Sequence, residues 1–176
     1  MKKLISIDAE TNGLWGKPFA IAVKFGDEER VWRCPVEGDV DPWVEENVLT
    51  QIESVEETHE TLDAMLKDFA SWWLEHKEGT EALWHMGHVV EAGLFRLLLE
   101  GGYIGPWDAP YTPIEVSEAL RLAGEDQSSV DAYMEKYGIK KPELEGGSHH
   151  PLYDAIVALE VYKHLQQRNE NNEWGL

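Results

Sequence analysis

Three β-patterned segments crowd into the first 34 residues, and the connections between them are too short to hold a helix. Residues 3–9 (KLISIDA) alternate through Ile5, Ser6, Ile7 and Asp8 and are rich in aliphatic side chains, the pattern of a half-buried strand. Residues 19–25 (FAIAVKF) make a second run and residues 29–34 (ERVWRC) a third. Asn12-Gly13 and Gly26-Asp27 are turn dipeptides at the two joins. Strands joined so closely pair antiparallel, so the chain is expected to open as a meander.

The pattern then changes to alternating helix and strand. Pro42 opens a helix to about Ile52. Thr61 to His76 repeats Leu62, Met65, Leu66, Phe69, Trp72 and Trp73 at helical spacing. Residues 80–86 read as a buried strand. His88 to Glu100 reads as a helix with Val90, Leu94, Leu97 and Leu98 inward, stopped by Gly101-Gly102. Residues 110–116 supply a further strand, followed by a helix over Val116–Leu122. Ser128 or Ser129 caps a helix to Tyr137, with Gly138 as its stop. The last helix starts near Pro151 and runs to about Arg168, burying Leu152, Ile156, Leu159 and Tyr162 with Asp154 beside that stripe. A meander followed by α/β crossovers predicts an α/β fold, a mixed sheet with helices on both faces. No repeat or linker divides the chain, so one domain over residues 1–168 is expected, with 169–176 a polar tail.

Composition narrows the function. The formal net charge is −19, from 34 acidic and 15 basic residues, which argues against coating long nucleic acid through a basic surface. It leaves room for an enzyme that grips a strand end through divalent ions and backbone N–H groups. Residues 37–63 carry no Lys or Arg, and read as a solvated face or a contact for a basic partner. Cys34 is the only cysteine, which excludes an intrachain disulfide and a cysteine-cluster zinc site. A soluble protein in a reducing, cytoplasmic setting is expected, with no membrane partner.

Certain acids stand out by position. Asp8 and Glu10 lie two apart on a strand, so both point to one face, where they repel unless a cation offsets the cost. The pair reads equally as two solvated acids at a strand end. Asp154 falls in the first turn after Pro151, where it is either a dipole partner or a side chain aimed at the sheet. Glu91, in the first turn of an apolar helix, carries the same two readings. His149, five residues before Asp154, is either an exposed loop histidine or a group folded back over the same site.

Asp8-Ala9-Glu10-Thr11-Asn12-Gly13 resembles the first motif (D-x-E-T-x-G) of the DEDD exonucleases. His149-His150-Pro151-Leu152-Tyr153-Asp154-Ala155 resembles the third motif (H-x-x-x-x-D-A) of the DEDDh branch, which includes bacterial proofreading subunits, ribonuclease T and oligoribonuclease. The middle motif departs from that family. Met86-Gly87-His88-Val89-Val90-Glu91 stands where His-Asn-x-x-x-Asp is the pattern, so Gly87 replaces an asparagine and Glu91 an aspartate. His88 competes for a role there, although a surface or core place suits it better.

The resemblance implies a ribonuclease-H-like mixed five-stranded sheet and a two-metal 3′→5′ exonuclease. It would release nucleoside 5′-monophosphates from single-stranded DNA or RNA 3′ ends. By the same resemblance Asp8, Glu10, Glu91 and Asp154 would hold two Mg²⁺ or Mn²⁺ ions, and His149 would be the general base. Thr11, Asn12, Gly13 and Leu14 would meet the terminal nucleotide, with Leu14 or Trp15 wedged against the base. The residues alone also read as a plain Asn-Gly turn. Trp15 and Trp107 are stacking candidates, whereas Trp72, Trp73 and Trp84 suit the core. Several members of that family are homodimers, so the resemblance allows a homodimer. The altered middle motif and the acidic stretch over 37–63 also fit a catalytically weak adaptor of the same fold that binds a protein partner, and a hydrolase of dinucleotides or small nucleotides is a third reading.

Overall fold

The computed structural model describes residues 2–85, 89–144 and 150–171. Strands β1 (Lys3–Thr11), β2 (Pro18–Phe25) and β3 (Glu28–Arg33) form the antiparallel meander. β4 (Thr80–Trp84) joins β1 in parallel, and β5 (Ile114–Glu115) joins β4 in parallel. The order β3-β2-β1-β4-β5 makes a mixed five-stranded sheet, as expected of a ribonuclease-H-like α/β arrangement.

The period-two alternation of β1 assigns its two faces. Ile5, Ile7 and Ala9 enter a core with Met65, Phe69, Leu94 and Leu98, contributed by α2 (Leu62–His76) and α3 (Val89–Glu100). Ser6, Asp8 and Glu10 therefore point the other way, toward α6 (Pro151–Glu170). On that face Leu83, beside Ser6 in register, packs with Val157, Ala158 and Val161. Ala22, opposite Asp8, packs with Leu152 and Ala155. Small side chains on both surfaces let the helix lie close to the strands that carry the acids.

The remaining helices support this frame. Thr61 caps α2, its Oγ1 accepting from the Ala64 N–H at 3.2 Å. Trp32 packs edge-on against Phe69 at 5.2 Å between centroids. The indole N–H groups of Trp32, Trp72 and Trp73 donate to Asp68, Glu28 and the Asp108 carbonyl, so these rings can be buried without loss. α4 (Val116–Leu122) and α5 (Val130–Tyr137) cover the outer side of α6. Ser129 caps α5, and Gly138 ends it at φ 65°. Among the described residues, no helix is long and apolar enough to cross a membrane.

The structure corrects the sequence reading in several places. The helix expected over 42–52 is a three-residue α turn, α1 (Pro42–Val44), running into a π-helical stretch over Glu45–Leu49. Val44, Val48 and Ile52 are all buried and spaced by four, and a wider turn brings such residues nearer to one line than 3.6 per turn does. The strand expected over 110–116 shrinks to Ile114–Glu115, because Pro110 and Pro113 offer no N–H to a ladder. The strand over 80–86 ends at Trp84, with residue 86 outside the described residues. In α3 Leu94 and Leu98 are buried as expected, while Glu91 and Phe95 are buried in place of Val90 and Leu97, which are only half-buried. In α6 Leu152 and Leu159 are buried as expected but Ile156 and Tyr162 only partly, and burial also takes in Tyr153, Val157, Ala158 and Val161, because the helix is sandwiched between the sheet and α4 with α5. It also runs to Glu170, two residues past the expected end, so the tail begins later than residue 169.

Candidate active site

Four acids from three elements meet at the end of the sheet where β1 and β4 finish. Asp8 and Glu10 come from β1, Glu91 from the first turn of α3 and Asp154 from the first turn of α6. Asp8 is 8% exposed and Glu91 only 2%. A ligand atom of Asp8, one of Asp154 and a ring nitrogen of His85 all lie within 4.8 Å of one another. His85 Nδ1 stands 3.4 Å from Asp154 Oδ2.

Local structure explains the convergence. His150 caps α6 by accepting the Leu152 N–H on Nδ1 at 3.1 Å, and Pro151 takes the first helical position. That fixes Asp154 one turn in, beside the β1 carboxylates. A register irregularity between Glu10 and Thr11 ends the regular pairing with β2 just past the acids.

The electrostatics tie the acids into one cluster. Burial, and after it the charges of Asp154, Glu10 and Glu91, hold the Asp8 carboxyl well above its ordinary range. Burial and Asp154 push Glu10 up to about 7. Burial pushes Glu91 up to about 8; its own backbone N–H opposes this, and Glu115, Asp154 and Glu10 add to it. Glu91 Oε2 is buried with no hydrogen-bond partner among the described residues. Among those residues no Lys or Arg pairs with any of the four acids.

Glu125 shows what a structural acid looks like in the same protein. Burial alone would raise its carboxyl, but hydrogen bonds from Lys136, Tyr137 and Arg168 outweigh burial and bring it to about 2. The sheet-end cluster has no such cations. Unpartnered buried carboxylates of that kind mark sites where a cation or a proton is meant to be. Asp8, Glu10, Glu91 and Asp154 are all-oxygen donors of the type that hold Mg²⁺ or Mn²⁺, so the residues fit such ions.

The turn after β1 is built around its neighbours. Asn12 donates from Nδ2 to the Asp39 carbonyl at 2.9 Å and accepts the Asp41 N–H on Oδ1 at 2.7 Å, so its side chain ties down the segment before α1. Gly13 sits at φ 81°, with Asp41 Oδ2 3.6 Å from where a Cβ would be. A Cβ on Gly16 would stand 1.9 Å from the Asn12 carbonyl oxygen. Gly16→Ala is therefore expected to force this turn open and lower stability by about 1–3 kcal/mol, read as a lower urea midpoint. An unchanged midpoint would contradict this account of the turn.

Thr11 ends β1, and Leu14 and Trp15 project into solvent, 61% and 81% exposed. A groove of about 510 Å³ runs between them and Val90, Gly93 and Arg96 of α3. Trp107 is likewise exposed, while Trp72, Trp73 and Trp84 are buried.

Of the residues singled out from the sequence, the structure brings Asp8 and Asp154 to ligand-sharing distance, with Glu10 and Glu91 near enough to act on them electrostatically. His149 and His88 lie outside the described residues. Sequence reading missed His85. No local signal marks it, since only the parallel register that pairs Ser6 with Leu83 sets His85 beside Asp8. No family model matches the chain, and no curated protein matches it either.

Proposed function

We propose that this protein is a metal-dependent 3′→5′ exonuclease that releases nucleoside 5′-monophosphates from single-stranded DNA or RNA ends. The observation that carries the reading is the cluster itself: four carboxylates from β1, α3 and α6, electrostatically coupled and without a Lys or Arg partner among the described residues. The motif resemblance and the strand order support the same reading.

Asp8, Glu10, Glu91 and Asp154 would hold two Mg²⁺ or Mn²⁺ ions. Such ions supply charge stabilisation to both the attacking and the leaving oxygen of an in-line displacement at phosphorus. The chain's own residues do the rest. The buried Asp8 and Glu91 keep the site rigid and short of water. Leu14 and Trp15, which line the groove against α3, offer apolar and aromatic surface to an unstacked terminal base. Lys17 and Arg96, which also line that groove, supply positive charge for the backbone of the strand. We assign the general base to His149, because a free imidazole with a pKa of about 6.5 takes a proton efficiently near neutral pH.

A panel of single- and double-stranded DNA and RNA of graded length, with Mn²⁺ and then with EDTA, tests this. We expect mononucleotides from single strands with Mn²⁺ and none with EDTA. Release from dinucleotides but not from ten-residue oligomers would replace the exonuclease with a small-nucleotide hydrolase. No release from any substrate would overturn the reading.

A further inference from the structure

We propose that His85 is a nitrogen donor to the ion held between Asp8 and Asp154, and that this makes the position prefer Mn²⁺ over Mg²⁺. The inference rests on the metal-dependent reading above and deepens it, by naming a donor outside the carboxylate set and the ion it selects.

The spacing is close to that of ligands sharing one ion. With bonds of about 2.1–2.2 Å, ligand atoms in neighbouring positions are separated by about 3 Å and those in opposite positions by about 4.3 Å. The ligand atoms of Asp8, His85 and Asp154 lie within 4.8 Å of one another, with the His85–Asp154 pair at 3.4 Å. That pair is longer than a good N–H···O bond, so a hydrogen bond does not account for the placement of the ring.

Among the described residues, nothing beyond the 3.4 Å contact with Asp154 accounts for the imidazole. Its side chain is 14% exposed, and its Nε2 is buried without a hydrogen-bond partner among the described residues. A buried ring with neither nitrogen well bonded is costly unless something else engages it. Glu91 gives an independent sign that the same space takes a cation. It is 2% exposed, its Oε2 is also unpartnered, and it feels the charges of Asp154 and Glu10. The backbone makes the placement deliberate, because β4 stops at Trp84 and delivers His85 at the end of a parallel strand, next to Asp8 on β1.

The chemistry then decides the ion. Mg²⁺ is hard and favours oxygen, and it keeps its waters rather than accept a nitrogen. Imidazole is a borderline donor that strengthens binding of first-row transition ions. A site with two carboxylates and one imidazole therefore gains affinity for Mn²⁺ and little for Mg²⁺.

The test uses the full-length protein, Mn²⁺ alone and Mg²⁺ alone. Pulsed electron paramagnetic resonance of the Mn²⁺-loaded protein reads ¹⁴N coupling directly, and calorimetry gives both affinities. We expect ¹⁴N modulation in the wild type and its loss in His85→Gln. We also expect the Mn²⁺-over-Mg²⁺ preference to fall by at least about 10-fold, a loss seen even for an outer-shell partner. His85→Asn serves if His85→Gln does not fold. Coupling that persists in the variant points to another histidine and overturns the proposal, as does an equal loss of both ions. Mn²⁺ bound without any ¹⁴N coupling overturns this proposal alone. No binding of either ion overturns the metal-dependent reading as well.

Discussion

Asp8→Asn is expected to remove nucleotide release by at least about a thousandfold while making the metal-free protein more stable than its parent. A thousandfold is about 4 kcal/mol of barrier, the scale of charge stabilisation that a misplaced or missing ion withdraws. The gain in stability has a separate origin. Asp8 is buried and faces the charges of Asp154, Glu10 and Glu91, all of which disfavour its ionised form. An amide of the same shape removes that charge and relieves its neighbours. Each kcal/mol relieved should raise the thermal midpoint by about 2–4 °C in a chain of this size. Asp154→Asn should lose activity to a similar degree. Circular dichroism and a radiolabelled-oligomer assay on the same samples check both halves. A variant that is inactive because it is unfolded would contradict the account, and so would one that is folded and fully active.

Metal should offset part of the pH dependence of stability. In the folded chain Glu10 and Glu91 keep their protons up to about 7 and about 8, whereas a free glutamate ionises near 4.5. Between those values the folded state binds more protons than the unfolded one, so stability falls as pH rises. The favourable contribution is complete below about pH 4.5 and lost by about pH 8. His150, whose imidazole burial pushes down, acts in the opposite sense below its ordinary value. For this reason the cluster's own share is read as the difference between wild type and Glu91→Gln. We expect the metal-free wild type to lose stability from pH 5 to pH 8 more steeply than Glu91→Gln. Mn²⁺ at 100 times its dissociation constant adds about 2.7 kcal/mol, or about 5–10 °C, at pH 8. At pH 5 the gain should be much smaller, because protons compete for the same oxygens. Thermal melts at the two pH values, with and without Mn²⁺, measure this directly. Equal Mn²⁺ effects at both would contradict it.

The parts of this picture that were legible from sequence are those governed by local rules. The alternation in β1 put Asp8 and Glu10 on one face, and that face is the one α6 covers. Ser129 and Gly138 bounded α5, and Pro151 opened α6, because caps and stops act within one turn of chain. What escaped depends on packing. Glu91 reads from the sequence as a first-turn acid, and an acid is a poor guess for the most buried position of a helix. The structure instead lines it up with Leu94, Phe95 and Leu98. His85 carries no local signal within a strand expected over 80–86. The parallel register between β1 and β4, which sets His85 next to Asp8, is a long-range fact. The π-helical turn at Glu45–Leu49 likewise answers to where Val44, Val48 and Ile52 must point, not to any local signal.

Anomalous diffraction from crystals grown with Mn²⁺ tests the central claim most directly. The account predicts two peaks about 4 Å apart among Asp8, Glu10, Glu91 and Asp154, with the ion between Asp8 and Asp154 in contact with His85. Saturating Mn²⁺ with no peak at these carboxylates would contradict it.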